Sequence, residues 1–217
     1  GAGKSTLTSC IFRLTELNSG KIFIDDVNIG EIGLLKLREN LAIIPQDPVL
    51  FKGTIRANLD PFGNFTDDYL WDVLGKSVYE HEEMLIVKNG NNIDDKFHLD
   101  HVVEVNGNNY SNGERQMLSL ARVLIKHNLK ILILDEATSQ VDLELELKIT
   151  NKIFKALKNS TIITIAHRLR SILKYDKILV MDNGEMKEYG KPLDLFMAEG
   201  SIFQELCAKS KIRRGEF

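Results

Sequence analysis

The sequence predicts an α/β domain in which helices cover a mostly parallel sheet. Short aliphatic and β-branched runs alternate with longer amphipathic stretches, as in repeated strand–helix units. A glycine-rich turn, Gly1 to Thr6, leads directly into a helix, and an aliphatic strand, Ile131 to Leu134, ends on two carboxylates. These features predict an open sheet whose ligands bind at the carboxyl ends of its strands.

Hydrophobic periodicity and turn residues place the individual elements. We predict strands at residues 21–24, 41–44, 130–134, 161–166, 177–181 and 185–188. We predict helices after Lys4, over residues 34–39, 67–79, 114–126 and 142–157, and near the chain end over 192–207. No clear strand lies between Pro48 and Asn128. The predicted division is therefore a core of residues 1–48 and 129–217 with a helical subdomain inserted over about 49–128.

Composition limits the classes of function. The 217 residues carry 28 Lys and Arg against 31 Asp and Glu, and a net charge of −3 is not the basic field of a nucleic-acid binder. Cys10 and Cys207 match no metal-binding spacing, so we expect reduced thiols in a cytosolic domain. The longest apolar runs fall far short of the ~20 residues that cross a bilayer. We expect any membrane attachment to come from further sequence.

Gly1-Ala2-Gly3-Lys4-Ser5-Thr6 matches the second half of the phosphate-binding pattern G-x-x-x-x-G-K-[ST]. Its glycines let backbone N–H groups surround phosphates at a helix N-terminus. We predict that Lys4 neutralises the β- and γ-phosphate oxygens and that the Ser5 hydroxyl binds magnesium. The alternative is a glycine-rich turn that only starts a helix. Because such a turn normally follows a buried strand, we expect residues upstream of Gly1.

Two carboxylates, Asp135 and Glu136, follow the aliphatic strand. We predict that Asp135 holds magnesium through water and that Glu136 orients and polarises the water that attacks the γ-phosphate. An acidic pair after a strand is often only a turn. Combined with the glycine-rich loop, it indicates a phosphoryl-transfer site.

A third motif, Ser111-Asn112-Gly113-Glu114-Arg115-Gln116, begins an amphipathic helix. Ser111 and Glu114 have the spacing of a capping box, which satisfies N–H groups at a helix start. A helix N-terminus that presents a serine and a glycine is also an anion site. The structural and the functional interpretation are compatible.

With these motifs the chain resembles the nucleotide-binding domain of ABC transporters, and most closely the second such domain of the multidrug-resistance-associated C subfamily. The resemblance covers essentially the whole chain, and its subfamily assignment rests on Pro45 to Pro61, particularly Asn58-Leu59-Asp60-Pro61. Six motifs follow in the family's order: a partial Walker A (1–6), the Q-loop with Gln46, the signature (111–116), Walker B (131–136), the D-loop (139–142) and the switch histidine, His167.

The resemblance implies a P-loop NTPase fold with a RecA-like core sheet and an inserted helical signature subdomain. It implies ATP and Mg²⁺ as ligands, with Glu136, His167 and Gln46 as the catalytic residues. Within one domain, ATP would contact Gly1, Ala2, Gly3, Lys4, Ser5, Thr6, Gln46 and Asp135. Magnesium would be held by Ser5, Gln46 and Asp135.

The resemblance further implies partners. Two such domains pair head to tail, so Ser111, Gly113 and Asp142 would reach the nucleotide held by the partner domain. The Q-loop region would meet transmembrane domains at the cytoplasmic face of a membrane, and no nucleic acid is expected. The signature departs from the family's Leu-Ser-Gly-Gly-Gln, because it reads Tyr-Ser-Asn-Gly-Glu over residues 110–114.

Two other functions share the ATP motifs. One is a soluble ABC-type ATPase of DNA repair or translation, against which the Asn-Leu-Asp-Pro segment and the lack of a coiled-coil insertion argue. The other is an ATP-gated channel or receptor-associated regulator of the same subfamily, which the sequence leaves open.

Overall fold

The computed structural model describes residues 2–78, 95–135, 143–166 and 168–217. The chain divides into two compact units, one formed by residues 1–38 and 164–217 and the other by residues 39–163.

Strands within the described residues are short, of two to six residues. They are β1 (Phe23–Ile24), β2 (Val27–Asn28), β3 (Leu41–Ile44), β4 (Gly53–Thr54), β5 (Val102–Val103), β6 (Ile131–Asp135), β7 (Thr161–Ile165), β8 (Ile178–Asp182) and β9 (Glu185–Gly190). The α-helices of the same residues are α1 (Lys4–Ile11), α2 (Leu34–Glu39), α3 (Ile55–Leu59), α4 (Asp67–Ser77), α5 (Asn112–Leu124), α6 (Leu143–Ala156), α7 (Leu169–Ile172), α8 (Pro192–Met197) and α9 (Ile202–Lys209).

A three-stranded sheet has the order β3-β6-β7, with β6 in the middle. β3 and β6 run parallel, and their register pairs Leu41 with Ile131 and Ile44 with Leu134. Leu132 and Ile133 are fully buried, as expected for a central strand covered on both faces. The predicted α/β fold with parallel strands is therefore confirmed, and the predicted bounds of β3 match the structure.

Helix α5 (Asn112–Leu124) packs on two cores of the 39–163 unit at once. Leu120 and Val123 join the core beneath the sheet, together with Ile149 and Ile153 of α6. Leu118 and Ala121 join a second core, which α3 and α4 complete. That second core consists of Leu50, Ile55, Leu59, Leu70, Trp71, Val73, Leu74, Leu99, Val103, Tyr110, Leu118, Ala121 and Ile125. Because two faces of α5 are fixed by packing, the position of its N-terminus is fixed as well.

The other unit, residues 1–38 and 164–217, has its own core. It is formed by Leu173, Ile178, Val180, Phe203, Cys207 and Ile212. Burial raises the pKa of the Cys207 thiol, which is thereby kept protonated. Cys207 and Cys10 are both free cysteines, as expected.

Several short elements differ from the sequence-based expectation: β1 covers only the second half of the predicted strand 21–24, and β2 was not predicted. β4 and β5 form an antiparallel pair inside the span where no strand was recognised, because two-residue strands are too short to show alternation. Helices α3 and α7 were not predicted, being only five and four residues long. The predicted helix 192–207 is two helices, α8 and α9.

The break between α8 and α9 is held by a carboxylate from outside the helices. Glu188 accepts hydrogen bonds from the backbone N–H groups of Ile202 (2.5 Å) and Phe203 (3.0 Å), and from the Ser201 hydroxyl (3.0 Å). Ser201 itself accepts from the N–H of Gln204. A helix start with this many acceptors is more stable than a continuous helix through Gly200, whose φ is +75°.

Asn58, at the end of α3, ties together the chain segment that follows β3. Its Nδ2 donates to the carbonyls of Phe51 (2.7 Å) and Thr54 (3.0 Å), and its Oδ1 accepts from the N–H of Phe51 (2.8 Å). Arg122 of α5 donates to the Asn58 carbonyl (2.9 Å), the Asn58 Oδ1 (2.5 Å) and the Val49 carbonyl (2.6 Å). Burial lowers the pKa of the Arg122 guanidinium. The segment after β3 is thus fastened to α5 by polar contacts.

We expect Asn58→Ala to lower the free energy of unfolding by about 2–4 kcal/mol, because it removes an acceptor and two donors at a buried site. Urea unfolding of the purified protein would measure this. Asn109→Ala is a matched control, since Asn109 also accepts from an N–H (Glu104) and donates to a carbonyl (Val102) but lies nearer the surface. An equal loss in both variants would contradict the importance assigned to burial of Asn58.

Candidate nucleotide-binding site

The glycine-rich turn at the start of α1 depends on a left-handed glycine. Gly3 has φ +94° and ψ 4°, a conformation that residues with a Cβ rarely adopt. A Cβ at this position would also lie 3.3 Å from the Cα of Gly184 and 3.4 Å from the Cε of Met181. The N–H of Gly184 donates to the carbonyl of Ala2 at 3.2 Å. Glycine is therefore required at position 3 on both conformational and packing grounds.

Helix α1 begins without a side-chain cap. Gly3 is its N-cap, and the first helical hydrogen bond runs from the N–H of Leu7 to the Gly3 carbonyl at 3.0 Å. The N–H groups of Lys4, Ser5 and Thr6 therefore have no intrahelical acceptor. All three residues are exposed. This helix end presents N–H groups, a hydroxyl and an ammonium outward, which suits an anionic phosphate chain.

In the other unit, the parallel register brings two predicted site residues to one edge of the sheet. Ile44 pairs with Leu134, so Pro45 and Gln46 follow the end of β3 where Asp135 ends β6. Adjacent strands lie about 4.8 Å apart, so the segment that begins with Pro45 leaves the sheet beside the end of β6. Gln46 is exposed and Asp135 is half-buried. The grouping of Gln46 with Asp135 at a magnesium site stays a prediction.

The chemistry of these residues fits magnesium. At this sheet edge Asp135 offers a carboxylate and Gln46 an amide oxygen, and Mg²⁺ prefers oxygen ligands of this kind. A single carboxylate is sufficient where phosphate oxygens and water complete the coordination. The described parts of the chain contain no group of three or more His, Cys, Asp or Glu side chains that could hold a metal ion.

The signature motif forms the capping box that its spacing predicts. The N–H of Glu114 donates to the Ser111 hydroxyl at 3.3 Å, and the N–H of Ser111 donates to Glu114 Oε2 at 2.7 Å. Lys96 donates to Glu114 Oε1 at 3.2 Å. Burial alone would raise the pKa of Glu114, but the hydrogen bonds from Ser111 and the nearby Lys96 ammonium outweigh it and lower the pKa. Ser111 itself is exposed, and Gly113 beside it is buried.

The first departure in the signature has a structural reason. Tyr110 occupies the position where the family has leucine, and its ring is buried in the core of α3, α4 and α5. Its hydroxyl donates to the Lys96 carbonyl at 2.5 Å, and burial raises the pKa of the phenol. The tyrosine thus keeps the apolar role of leucine and adds an anchor to the segment before the signature.

One residue that connects two of the motifs was not predicted from the sequence. Gln116 of α5 is 3% exposed, and its Nε2 donates to the carbonyls of Pro45 (3.2 Å) and Gln46 (3.0 Å). The sequence does contain a sign of this role. Gln116 comes four residues before Leu120 and seven before Val123, so it is a polar residue on the buried stripe of the helix. Such a residue needs a buried hydrogen-bond partner.

Four predicted site residues, Gly1, Glu136, Asp142 and His167, lie outside the described residues. Their roles stay predictions. None of the helices described is both long and apolar enough to cross a bilayer.

A mostly α/β chain with a glycine-rich turn before a helix, and an acidic residue at the carboxyl end of a parallel strand, defines a P-loop nucleotide-binding protein. Comparison with known proteins gives the family. The model of the ABC transporter family matches residues 1–139. The chain belongs to the ABC transporter family and is an ATP-binding module of it, and such modules are ATPases.

Similar proteins agree with this assignment. The chain is 51% identical to the oligomycin resistance ATP-dependent permease of Saccharomyces cerevisiae over 100% of its own length and 15% of that protein. It is 45% identical to ATP-binding cassette sub-family C member 2 of Homo sapiens, over 94% of the chain and 12% of that protein. Its fold matches a bacterial Atm1-family ABC exporter with ATP bound, with a TM-score of 0.82 and 33% identity, over 98% of this chain and 35% of that one. The chain thus matches the nucleotide-binding domains of sub-family C and spans only a small part of these curated relatives.

We expect Glu114 to make stability depend on pH. Because its folded-state pKa is lowered, its contribution is fully present above the unfolded value of 4.5 and is lost as pH falls through the folded pKa. Glu114→Gln should therefore be less stable than the unmodified protein at pH 7, with a difference that shrinks below pH 4.5. Melting temperatures measured across this range would show it, with the exposed Glu104→Gln as control. A difference that stays constant with pH would contradict the assignment.

Proposed function

We propose that this chain is the second, C-terminal nucleotide-binding domain of a sub-family C exporter, and that it couples ATP hydrolysis to transport across a membrane. The parallel register of β3 and β6 carries the proposal, because Pro45-Gln46 follows β3 at the sheet edge where Asp135 ends β6. The named relatives, a permease and a sub-family C member, support the class of the whole protein.

The chain's own residues have distinct parts in this function. The N–H groups at the start of α1 and the Lys4 ammonium bind and neutralise the phosphates, since both lie exposed at one helix end. Ser5, Gln46 and Asp135 would hold Mg²⁺, which would supply positive charge to offset that of the phosphates. Glu136 orients the attacking water, and His167 contacts the γ-phosphate.

Partners follow from the same proposal. A second nucleotide-binding domain pairs head to tail with this one, and Ser111, Gly113 and Asp142 contact the nucleotide that the partner holds. The exposed N-terminus of α5 supports this, because its serine and helix dipole favour an anion. The Q-loop region contacts transmembrane domains, so the domain lies on the cytoplasmic face of the membrane. Residues 49–128 act as the helical subdomain, and residues 1–48 and 129–217 as the core.

Glu136→Gln tests the proposed chemistry in the complete gene product, purified in lipid nanodiscs. We expect ATP hydrolysis to fall at least ~100-fold, because the carboxylate that polarises water is lost, while ATP binding persists. Phosphate release measures the first, and binding of a fluorescent ATP analogue measures the second. Glu199→Gln, at an exposed position far along the chain, is the control. Unchanged hydrolysis in Glu136→Gln would overturn the catalytic assignment.

A further inference from the structure

The amide of Gln116 holds the backbone of the Q-loop from inside the protein. Both N–H bonds of its Nε2 are used, one for the Pro45 carbonyl and one for the Gln46 carbonyl, at 3.2 and 3.0 Å. The contacts join residues about 70 positions apart in the sequence. A single side chain therefore fixes two consecutive peptide groups directly after β3.

A glutamine side chain lowers the stability of the protein at this buried position. Its presence is explained if its hydrogen bonds are needed to hold the Q-loop backbone in one geometry. Its Oε1 is buried and has no hydrogen-bond partner among the described residues, which costs free energy that an apolar side chain of the same size would avoid. The neighbouring buried positions on this helix stripe are occupied by Leu120 and Val123. The amide thus lowers stability relative to an apolar side chain, but it makes two hydrogen bonds that an apolar side chain could not make.

The side chain of Gln46 is exposed, so packing does not orient it. Its direction depends on where the Gln46 backbone is held, and the amide of Gln116 is what holds it. We propose that Gln116 is a positioning residue for hydrolysis, which sets the place of the Gln46 amide at the sheet edge. This inference rests on the proposed function, because it takes Gln46 as a ligand at the nucleotide site.

The same contact joins the Q-loop to helix α5. Gln116 lies five residues after Ser111, on a helix whose two faces are packed into separate cores. The Gln46 backbone is therefore joined directly to α5, by contacts that do not pass through the sheet. In the proposed pair of domains, this contact joins the segment at Ser111, which contacts the partner's nucleotide, to the segment at Gln46, which contacts the nucleotide of this domain.

Gln116→Met tests the positioning role in the complete gene product, in lipid nanodiscs. Methionine keeps the unbranched length of glutamine but removes both donors and the unpartnered oxygen. We expect kcat for ATP hydrolysis to fall about tenfold, because small displacements of a catalytic group cost up to on the order of 100-fold. The KM for ATP should change less than twofold, since the phosphates are bound chiefly at α1.

Gln116→Asn is a second variant that keeps the amide but withdraws it by one methylene, and we expect a loss of kcat in the same direction. Gln204→Met is the matched control. Gln204 also donates through Nε2 to a backbone carbonyl, that of Phe196 at 2.9 Å, in the other unit of the chain. Its kcat should stay within twofold of the unmodified protein, even if its melting temperature falls as much as that of Gln116→Met.

A double-mutant cycle with Gln46→Ala separates positioning from general stability. If Gln116 acts through Gln46, the double variant hydrolyses ATP at the rate of Gln46→Ala alone. Fully multiplicative losses, or an unchanged kcat in Gln116→Met, would overturn the inference while leaving the proposed function intact. Unchanged hydrolysis in Gln46→Ala would overturn the role proposed for Gln46, and the inference with it.

Discussion

The parallel pairing of β3 with β6 is the interaction on which the site depends. Its register, Leu41 with Ile131 through Ile44 with Leu134, determines which residues follow each strand at the same edge. A shift by one residue would change which residue of β6 lies level with the end of β3. Leu132 and Ile133, on opposite faces of β6, are both fully buried, so the whole aliphatic run stays inside the protein and Asp135 marks its end. Burial of these aliphatic runs thus fixes the sheet edge at which Asp135 ends β6 and Pro45-Gln46 follows β3.

Helix α5 connects the sheet to the rest of the 39–163 unit. Its two apolar faces enter different cores, so the helix is held on both sides and its N-terminus, with Ser111, is presented at the surface. Two polar residues of the same helix, Gln116 and Arg122, donate hydrogen bonds to backbone carbonyls of neighbouring loop segments. Gln116 holds the Q-loop backbone and Arg122 holds the segment after it, through Asn58 and Val49. One helix therefore organises both the signature and the loop that follows β3.

Buried polar contacts of this kind are a costly way to obtain stability but an effective way to obtain one geometry. Each requires all its donors and acceptors to be satisfied, which few alternative arrangements achieve. The unpartnered Oε1 of Gln116 is the exception among these contacts. That exception is consistent with selection for the position of the loop rather than for the stability of the helix.

The sequence by itself determined the features that depend on short-range patterns. The glycine-rich turn, the bounds of β3 and the Ser111–Glu114 capping box all follow from spacing within a few residues, and the structure contains each of them. Only the tertiary structure decided the contacts between distant segments. Gln116 meets Gln46 across 70 positions, and Asn58 meets Arg122 across 64. Glu188, on β9, accepts a hydrogen bond from the first residue of α9 and so starts a new helix where the sequence predicted one continuous helix over 192–207. Periodicity reports which face of an element is buried, but the partner that a buried polar group finds is fixed only when the chain has packed.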